Sequence, residues 1–588
     1  MKILLAAINA KYIHSNLGIY SLKAYAQKRL NCRIEIGEYT INHQLDGILQ
    51  DIYRRKPDIV GFSCYVWNII YVKRLVRNLV KVLPDVIIWL GGPEVSYDAP
   101  QILWEERAVA GIMTGEGEAT FAELAAYYQQ EEDRKTSQGA DAGEVCGSLK
   151  DIAGIVFRSS SGQIITTGRR ELLSMDEIPF PYSCLEGMEH RIVYYESSRG
   201  CPYSCSYCLS SVDKTVRFRS LELVKRELDF FLERKVPQVK FVDRTFNCKR
   251  SHSLAVWKYL LEHDNGVTNF HFEISADLMD SEQLNILRQM RPGLVQLEIG
   301  VQSANLRTIR EIRRTMDLER LEKAVAFIKK AGNIHQHLDL IAGLPYEDYE
   351  SFRLSFDRVY RMKPDQLQLG FLKVLKGSYM AEAGEDYGLC YHEEPPYEVL
   401  STRWLDYEAI LELKLVEEMV EVYHNSRQFT HTLQALDSQW DSPYAMFREI
   451  GNYYEARKLT GISHSRLARY EILYGFLKEN YPGDIKKYGD LLTYDLYLRE
   501  NVKSRPGFAG DQSPFKKAIR NFFAEESTNA RYLKGYEGYS PGQVSKMAHL
   551  EVLSDGRMIL FDYKERDPLN HNAKATEVGR WLLFAGHQ

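Results

Sequence analysis

Two stretches of this chain alternate between short apolar segments and amphipathic segments, and this alternation most restricts its fold. Over residues 1–130, apolar runs such as KILLAAI and DVIIWLGG are separated by segments with helical spacing, such as IYVKRLVRNLVKVL. The pattern returns over residues 190–375, where six apolar strands are separated by helices. Buried strands that alternate with helices predict parallel sheets covered by helices. We therefore predict an α/β protein with a doubly wound, Rossmann-like first domain and a central partial (β/α)6 barrel.

The remaining segments differ in character. Residues 131–148 are polar and lack periodicity, and a predicted β-hairpin follows, with its turn at residues 160–162. Residues 376–588 contain long helical stretches and, near their end, a hairpin with a Ser-Asp-Gly turn. The predicted divisions are thus 1–130, a linker and hairpin over 131–189, a barrel over 190–375 and a mostly helical region over 376–588.

Composition narrows the functional classes. The 588 residues carry a net charge of −5, so there is no overall basic excess of the kind that indicates nucleic-acid binding. No apolar run approaches the roughly 18–20 residues needed to span a membrane, and the first residues lack a signal-peptide pattern. Nine cysteines are too few for a disulfide scaffold of this length. We expect a cytoplasmic protein without a membrane partner.

Three of the cysteines are crowded into ESSRGCPYSCSYCLSS, which follows the first predicted barrel strand. Cys201, Cys205 and Cys208 have the spacing C-x3-C-x2-C, and three thiolates on one loop can bind three irons of a 4Fe–4S cluster. The fourth iron would then be open to another ligand. Two alternatives are a zinc site completed from elsewhere in the chain and three structural cysteines. Because barrel chemistry lies at the carboxyl ends of the strands, this loop is on the expected active face.

The loop, with Tyr207 before its last cysteine, resembles the signature of the radical S-adenosylmethionine superfamily. The resemblance implies that the open iron binds the methionine part of S-adenosylmethionine, which one-electron reduction cleaves under anaerobic conditions. An external donor such as flavodoxin or ferredoxin would supply the electron. The match continues through VKFVDRTFN, LEIGVQSANLRTIREIRRTM and LDLIAGLPYED, the second of which resembles the coproporphyrinogen-oxidase-like branch. It implies cofactor contacts from Tyr207, Asp243, Glu298, Gln302, Arg314, Asp339 and Gly343.

Those assignments have structural alternatives. Glu298 and Asp339 would also suit ordinary hydrogen bonding at strand ends. Arg314 follows Arg310 and Arg313, and all three would suit a solvated helix face.

The first domain resembles the cobalamin-binding domain of the cobalamin-dependent branch of that superfamily. The matching segments are PDIVGFSCYVWNI, WLGGPEVSYDAP and TGEGEATFAEL, in that order. The Asp-x-His-x-x-Gly motif that supplies a lower cobalt ligand elsewhere is absent, and His14 lacks its spacing. The alternative is a vestigial or nucleotide-binding domain, although no G-x-G-x-x-G follows the first strand. The resemblance implies cobalamin contacts from Ser63, Gly91, Gly92, Glu94, Ser96, Gly115, Glu116 and Gly117, with Glu94 in place of the usual histidine.

Together these resemblances imply a methyltransferase that acts on an unactivated carbon of a small molecule, a peptide or RNA. Radical rearrangement, cyclisation, RNA modification and non-catalytic cobalamin binding are the alternatives, since a fold and its cofactors do not fix the reaction. The basic segment VDKTVRFRSLELVKRE is open to two interpretations, a basic patch for RNA or a turn that begins a helix. The last third of the chain resembles a domain of unknown function found attached to such proteins.

Overall fold

The computed structural model describes residues 1–136, 148–211 and 214–579. The first sheet contains β1 (Lys2–Asn9), β2 (Arg33–Thr40), β3 (Ile59–Ser63), β4 (Ile87–Gly91), β5 (Gly111–Met113), β6 (Ile155–Arg158) and β7 (Ile164–Thr166). Its order is β2-β1-β3-β4-β5-β6-β7. The first five strands are parallel, and the hairpin β6–β7 adds antiparallel strands at one edge. The hairpin predicted within the linker thus extends the sheet of the first domain.

Alternate residues of β1 enter two different cores, so helices cover both faces of this sheet. Leu4, Ala6 and Ile8 pack in one core, and the intervening apolar residues of the strand pack in the other. This doubly wound arrangement confirms the predicted fold class. The helices are α1 (Leu17–Gln27), α2 (Leu45–Arg55), α3 (Ile69–Val82), α4 (Pro93–Ser96), α5 (Ala99–Glu105) and α6 (Gly117–Thr136).

A second parallel sheet forms the central barrel. Its strands are β8 (Val193–Tyr195), β11 (Gln238–Phe241), β12 (Asn269–Ile274), β13 (Val295–Gln302), β14 (His335–Ala342) and β15 (Gln366–Phe371), in the order β15-β14-β13-β12-β11-β8. Between β8 and β11, the short strands β9 (Ser198–Arg199) and β10 (Arg217–Phe218) pair antiparallel. The helices are α7 (Leu221–Glu233), α8 (Arg250–Glu262), α9 (Ser281–Gln289), α10 (Leu306–Glu311), α11 (Leu318–Ala331) and α12 (Tyr349–Arg361). The end strands β8 and β15 do not pair with each other, so the barrel is partial, as predicted.

The inner face of this barrel is polar. Along β13, Val295, Leu297, Ile299 and Val301 are buried, and the intervening Gln296, Glu298, Gly300 and Gln302 are partly exposed. Barrel interiors are more often filled by bulky branched side chains. The polar interior therefore marks a site within the barrel and distinguishes it from a sealed apolar core.

The C-terminal region is mostly helical, as predicted, and it packs directly on the barrel. Leu367 of β15 and buried tyrosines of the helical region such as Tyr423 and Tyr444 belong to one continuous apolar core. The elements are α13 (Tyr379–Glu382), β16 (Cys390–Tyr391), β17 (Val399–Ser401), α14 (Tyr407–Met419), α15 (Thr430–Asp437), α16 (Pro443–Ala456), α17 (Arg466–Asn480), α18 (Ile485–Arg499), α19 (Lys516–Asn529), α20 (Pro541–Met547), β18 (Ala548–Val552), β19 (Met558–Arg566) and β20 (Ala573–Glu577). The last three form an antiparallel sheet, of which only the first hairpin was predicted. Among the described residues, every helix is too short or too polar to cross a bilayer.

Candidate functional site

The cysteine loop leaves the barrel at the carboxyl end of β8 and is closed by the β9–β10 ladder. Gly200, directly before the first cysteine, has φ 98°, and a Cβ there would lie 2.2 Å from the carbonyl oxygen of Thr215. Only glycine tolerates both the left-handed backbone and this approach. The Arg-Gly dipeptide therefore makes the turn that begins the loop.

None of the three cysteines forms a disulfide within the described part of the chain, and Cys205 lies beside an arginine. Burial raises the pKa of Cys205, and the guanidinium of Arg314, with Nη1 3.9 Å from the Cys205 sulfur, opposes that shift. Because thiolates are the metal-binding form, a cation beside the loop suits a bound cluster. Cys248 lies near Cys201 but outside the C-x3-C-x2-C loop, and burial raises its pKa to about 11.

A cleft of about 120 Å³ opens beside this loop, at the carboxyl ends of β11 to β14. Four of the predicted S-adenosylmethionine contacts line it: Glu298, Gln302, Arg314 and Asp339. Sequence reasoning missed Tyr203, Arg244, Thr245, Glu273, Ser275 and Thr315, which also line the cleft.

Two polar atoms in the cleft, Gln302 Oε1 and Arg314 Nε, are buried and lack a hydrogen-bond partner among the described residues. Asp339 Oδ1 lies 3.0 Å from His337 Nε2. Gln302 follows a bulge in β13 and has a left-handed φ of 70°, a strained conformation for a residue with a side chain. Buried polar groups are nearly always hydrogen-bonded. A ligand that offers a carboxylate to the arginine and an N–H or O–H group to the Gln302 oxygen would satisfy them, and S-adenosylmethionine fits this requirement.

Other predicted contacts lie outside the cleft wall. Asp243 is fully buried and accepts hydrogen bonds from Ser197 N at 3.0 Å, Ser197 Oγ at 2.7 Å and Ser198 Oγ at 2.5 Å. This arrangement favours support of the cysteine loop over the predicted contact with the methionine ammonium. Tyr207 packs on the barrel core, where burial raises its pKa. Gly343 has φ 89° and lies under Val399, whose Cγ1 would be 2.7 Å from an added Cβ.

A layer of charged side chains lies beneath the cleft. Lys240 Nζ is 2.9 Å from Glu298 Oε2 and 3.7 Å from Glu273 Oε1, and His271 Nε2 is 3.0 Å from the same Glu298 oxygen. Burial would raise the pKa of Glu298, but His271 and Lys240 hold it well below its usual value. Ligand atoms of Glu298, His337 and Asp339 also lie within 4.8 Å of one another. The lysine ammonium already neutralises Glu298, which disfavours an added cation.

Glu273 is the carboxylate in this layer whose negative charge is least neutralised by neighbouring cations. Burial and the charge of Glu298 raise its pKa to about 7. Since the folded-state pKa exceeds that of the unfolded chain, stability should fall as the pH rises from about 4.5 to about 7. We expect Glu273→Gln to reduce this loss of unfolding free energy by about 1–2 kcal/mol. The effect is modest because the Glu273 side chain is partly hydrated. Thermal unfolding across that pH range tests this, with exposed Glu319→Gln as the control; parallel pH profiles for wild type and Glu273→Gln would contradict it.

The first domain presents its predicted motifs along the carboxyl edge of its sheet. Gly92 has φ 115°, and a Cβ there would lie 2.5 Å from the carbonyl oxygen of Cys64, whereas one on Gly115 would meet open space. Gly91 ends β4. Ser96 Oγ donates to Gly92 O at 2.8 Å, and Ser63 Oγ accepts from Asn16 at 3.3 Å. Glycines and hydroxyls at this edge leave room for a large ligand.

Aromatic side chains at the same edge were missed by sequence reasoning. Tyr12, Trp67 and Tyr97 follow β1, β3 and β4, and they are 57%, 40% and 43% exposed. Trp67 stacks on Tyr65 with ring centroids 4.4 Å apart. Exposed apolar groups gathered at one place mark a binding surface. A flat, mostly apolar macrocycle such as the corrin of cobalamin fits this edge.

The predicted contact Glu116 has another partner. Its carboxylate pairs with Arg217 of β10 and lies 3.4 Å from Arg199 of β9. Glu118 reinforces the contact, with Oε1 2.8 Å from Arg199. Gly117 begins α6, where an added Cβ would lie 2.9 Å from Leu22. This favours a role for Glu116 in joining the first domain to the cysteine loop over the predicted cobalamin contact.

Two arginines of the basic segment after the cysteine loop are engaged within the protein. Arg217 pairs with Glu116, and Arg219 is buried against Glu227, with Nη2 2.5 Å from Oε1. Two of its arginines are therefore unavailable to RNA. Removing one partner of a buried ion pair costs about 3–5 kcal/mol, so we expect Glu227→Gln to destabilise the protein by that amount. Urea unfolding measures it, with exposed Glu222→Gln as the control; equal unfolding midpoints would contradict the buried pairing.

Three parts of this chain match known protein families. Three family models match the chain: a B12 binding domain over residues 3–125, the radical SAM superfamily over 195–359, and a protein family of unknown function, DUF4080, over 385–573. The chain therefore combines a B12-binding domain, a radical SAM domain and a DUF4080 domain, as the sequence resemblance predicted. These domains imply cobalamin for the first and a 4Fe–4S cluster with S-adenosylmethionine for the second.

More particularly, its homologues include cobalamin-dependent radical SAM methyltransferases. The chain is 26% identical to the methyltransferase TokK of Streptomyces tokunonensis, over 53% of this chain and 45% of TokK. It is 23% identical to the anaerobic magnesium-protoporphyrin IX monomethyl ester cyclase of Rubrivivax gelatinosus, over 54% of this chain and 57% of the cyclase. The chain thus spans about half the length of these curated relatives.

Solved structures support the fold. The radical S-adenosylmethionine methyltransferase TsrM of Kitasatospora setae superposes with a TM-score of 0.55 at 16% identity, over 68% of this chain and 82% of TsrM. The cobalamin-dependent radical enzyme OxsB superposes with a TM-score of 0.57 at 15% identity, over 84% of this chain and 78% of OxsB.

Proposed function

We propose that this protein is a cobalamin-dependent radical S-adenosylmethionine enzyme that methylates an unactivated carbon. The observation that carries the proposal is the contact between its two cofactor-binding elements. Glu116 and Glu118, in the last motif of the B12-binding domain, pair with Arg199 and Arg217, which flank the cysteine loop. The edge suited to cobalamin is thereby fixed against the loop suited to the cluster.

When bound, the cluster and S-adenosylmethionine supply a 5′-deoxyadenosyl radical, and cobalamin serves as a methyl carrier. The three cysteines would hold the cluster. Arg314 and Gln302 would orient S-adenosylmethionine through their unpartnered atoms, and Asp339 would offer a carboxylate at the cleft wall. Placing reacting groups at fixed positions in a closed cleft lowers the barrier and excludes water. An external one-electron donor of the flavodoxin or ferredoxin class, in the cytoplasm, would complete the reaction.

The relatives support methyl transfer over the other radical reactions. TokK, TsrM and further relatives are described as methyltransferases or methylases, among them the hopanoid C-3 methylase of Methylococcus capsulatus. The relative from Rubrivivax gelatinosus is named as a cyclase and not as a methyltransferase, so methylation needs its own test.

The test is product analysis under anaerobic conditions. Protein reconstituted with iron and sulfide is incubated with S-adenosylmethionine, hydroxocobalamin and dithionite. We expect 5′-deoxyadenosine and S-adenosylhomocysteine, the second only when hydroxocobalamin is present. Iron-loaded protein that forms neither product would overturn the proposal, and 5′-deoxyadenosine alone would favour a radical reaction without methylation.

A further inference from the structure

The C-terminal region reaches the cofactor edge of the first domain through one antiparallel strap. We define the strap as residues 372–376, which follow β15, paired with residues 397–401. Val374 N donates to Tyr397 O at 3.0 Å, and Val399 N donates to Leu372 O at 2.9 Å. The second half of the strap lies within the DUF4080 match.

One side chain of the strap contacts the first domain directly. Tyr397 is only 6% exposed, and its hydroxyl donates to Glu94 Oε1 at 2.5 Å. Glu94 is 4% exposed and belongs to the Gly-Gly-Pro-Glu turn after β4. The bond joins residues more than three hundred positions apart, and a hydrogen bond to a buried carboxyl group is costly to break.

The backbone of Tyr397 is strained. Its φ is 58°, in the left-handed region that costs a residue with a Cβ roughly 1–2 kcal/mol. Such strain persists where surrounding contacts enforce it, and it is concentrated at functional sites. Here the enforced conformation coincides with the contact between the tyrosine hydroxyl and the turn of another domain.

Two further contacts hold the strap over the same turn. Lys376 Nζ is 2.7 Å from Asp98 Oδ2 and 3.8 Å from Glu94 Oε1. The backbone of Gly377 lies against the ring of Tyr97, where an added Cβ would be 2.2 Å from the ring. On the barrel side, Val399 packs on Gly343 at the end of β14. The strap thus touches the B12-binding domain and the radical SAM domain at once.

We propose that the strap, whose second half belongs to the DUF4080 match, closes the site between the cysteine loop and the cobalamin edge. Tyr397 is then a positioning residue that fixes Glu94 at that edge. Fixing the Gly-Gly-Pro-Glu turn before binding removes an ordering cost that cobalamin would otherwise bear. The inference rests on the proposed function, since it assumes that cobalamin binds at this edge. Tyr397 acts through Glu94 and takes no part in the reaction itself.

The test is a double-mutant cycle on hydroxocobalamin affinity in the full-length, cluster-reconstituted protein. Tyr397→Phe removes only the hydroxyl, and Glu94→Met removes the acceptor while keeping a side chain of similar length. We expect Tyr397→Phe to weaken hydroxocobalamin binding by about tenfold, and the double variant to lose clearly less than the product of the two single losses. Tyr391→Phe, which alters an exposed tyrosine of the neighbouring β16, is the matched control and should bind as wild type does.

The possible outcomes distinguish a failure of the strap proposal from a failure of the proposed function. If wild type binds hydroxocobalamin and Tyr397→Phe binds within twofold of it, the strap proposal is wrong. Losses that multiply independently would also overturn it, because a merely structural tyrosine would act without reference to Glu94. Wild type that does not bind hydroxocobalamin would instead overturn the proposed function. Melting temperatures of all variants show whether a loss reflects folding. Lys376→Met, which removes the ion pair of the strap with Asp98 and leaves the Tyr397 hydroxyl in place, provides a second test with the same expected direction.

Discussion

Serine in place of Cys205 is expected to abolish cluster assembly and the cleavage of S-adenosylmethionine. Cys205 is the buried member of the triplet and the one that lies beside Arg314. With two thiolates left on the loop, one iron of the cluster loses its protein ligand. We expect 5′-deoxyadenosine formation to fall by at least about a hundredfold, the upper range for losses at the outer partners of metal ligands. Iron content, visible absorption and 5′-deoxyadenosine yield measure the effect.

The matched control is Cys248→Ser. Cys248 lies near Cys201 but outside the C-x3-C-x2-C loop, so its loss should leave the iron content unchanged. Full cluster assembly in Cys205→Ser would contradict the assigned ligand set. Loss of iron in Cys248→Ser would mean that a fourth cysteine closes the site that S-adenosylmethionine needs.

Methionine in place of Arg314 is expected to weaken S-adenosylmethionine binding by about 10- to 150-fold. Arg314 lines the cleft, and its buried Nε lacks a partner among the described residues. A guanidinium matches a carboxylate through paired hydrogen bonds, and bonds to charged groups contribute about 1.5–3 kcal/mol each. Equilibrium dialysis with the reconstituted protein measures the affinity.

The neighbouring arginine provides the control for this prediction. Arg313 is exposed and stacks on Tyr379 outside the cleft. Arg313→Met should therefore bind S-adenosylmethionine as wild type does. Equal affinities for Arg314→Met and wild type would show that the arginine serves only to stabilise the cysteine loop.

The layered α/β architecture could be predicted from the sequence because the patterns that indicate it are local. Each buried strand is a short apolar run, and the helices between them have clear amphipathic spacing. The cysteine loop could be predicted as readily, since its three candidate ligands lie within eight residues of one another. The hairpin β6–β7 illustrates the limit: its strands were visible, but its pairing with β5 depends on long-range register.

Within the site, position along a strand was predictable and side-chain partnership was not. Glu298, Gln302 and Asp339 alternate with apolar residues in their strands, so their place at the cleft could be foreseen. The same alternation marks Lys240 and Glu273, and it was the signal that could have revealed the charged layer. The partners of Glu116 and Asp243 lie 101 and 46 positions away, too far for local patterns to reveal.

Interdomain contacts explain why motif-based assignment was least informative for the first domain. The Gly-Gly-Pro-Glu turn was recognised from its glycines, but its carboxyl group is held by Tyr397, more than three hundred positions away along the chain. Exposed aromatic residues in the loops after β1, β3 and β4 became recognisable as a group only when the sheet order brought these loops together.

The most direct test of the central claim, that one chain holds both cofactors against each other, is the metal content and electron paramagnetic resonance spectrum of the anaerobically reconstituted protein. We predict about four iron atoms and about one cobalt atom per chain, with a reduced-cluster spectrum that changes when S-adenosylmethionine is added. Protein that retains iron but no cobalt, or whose cluster spectrum does not respond to S-adenosylmethionine, would contradict the two-cofactor site.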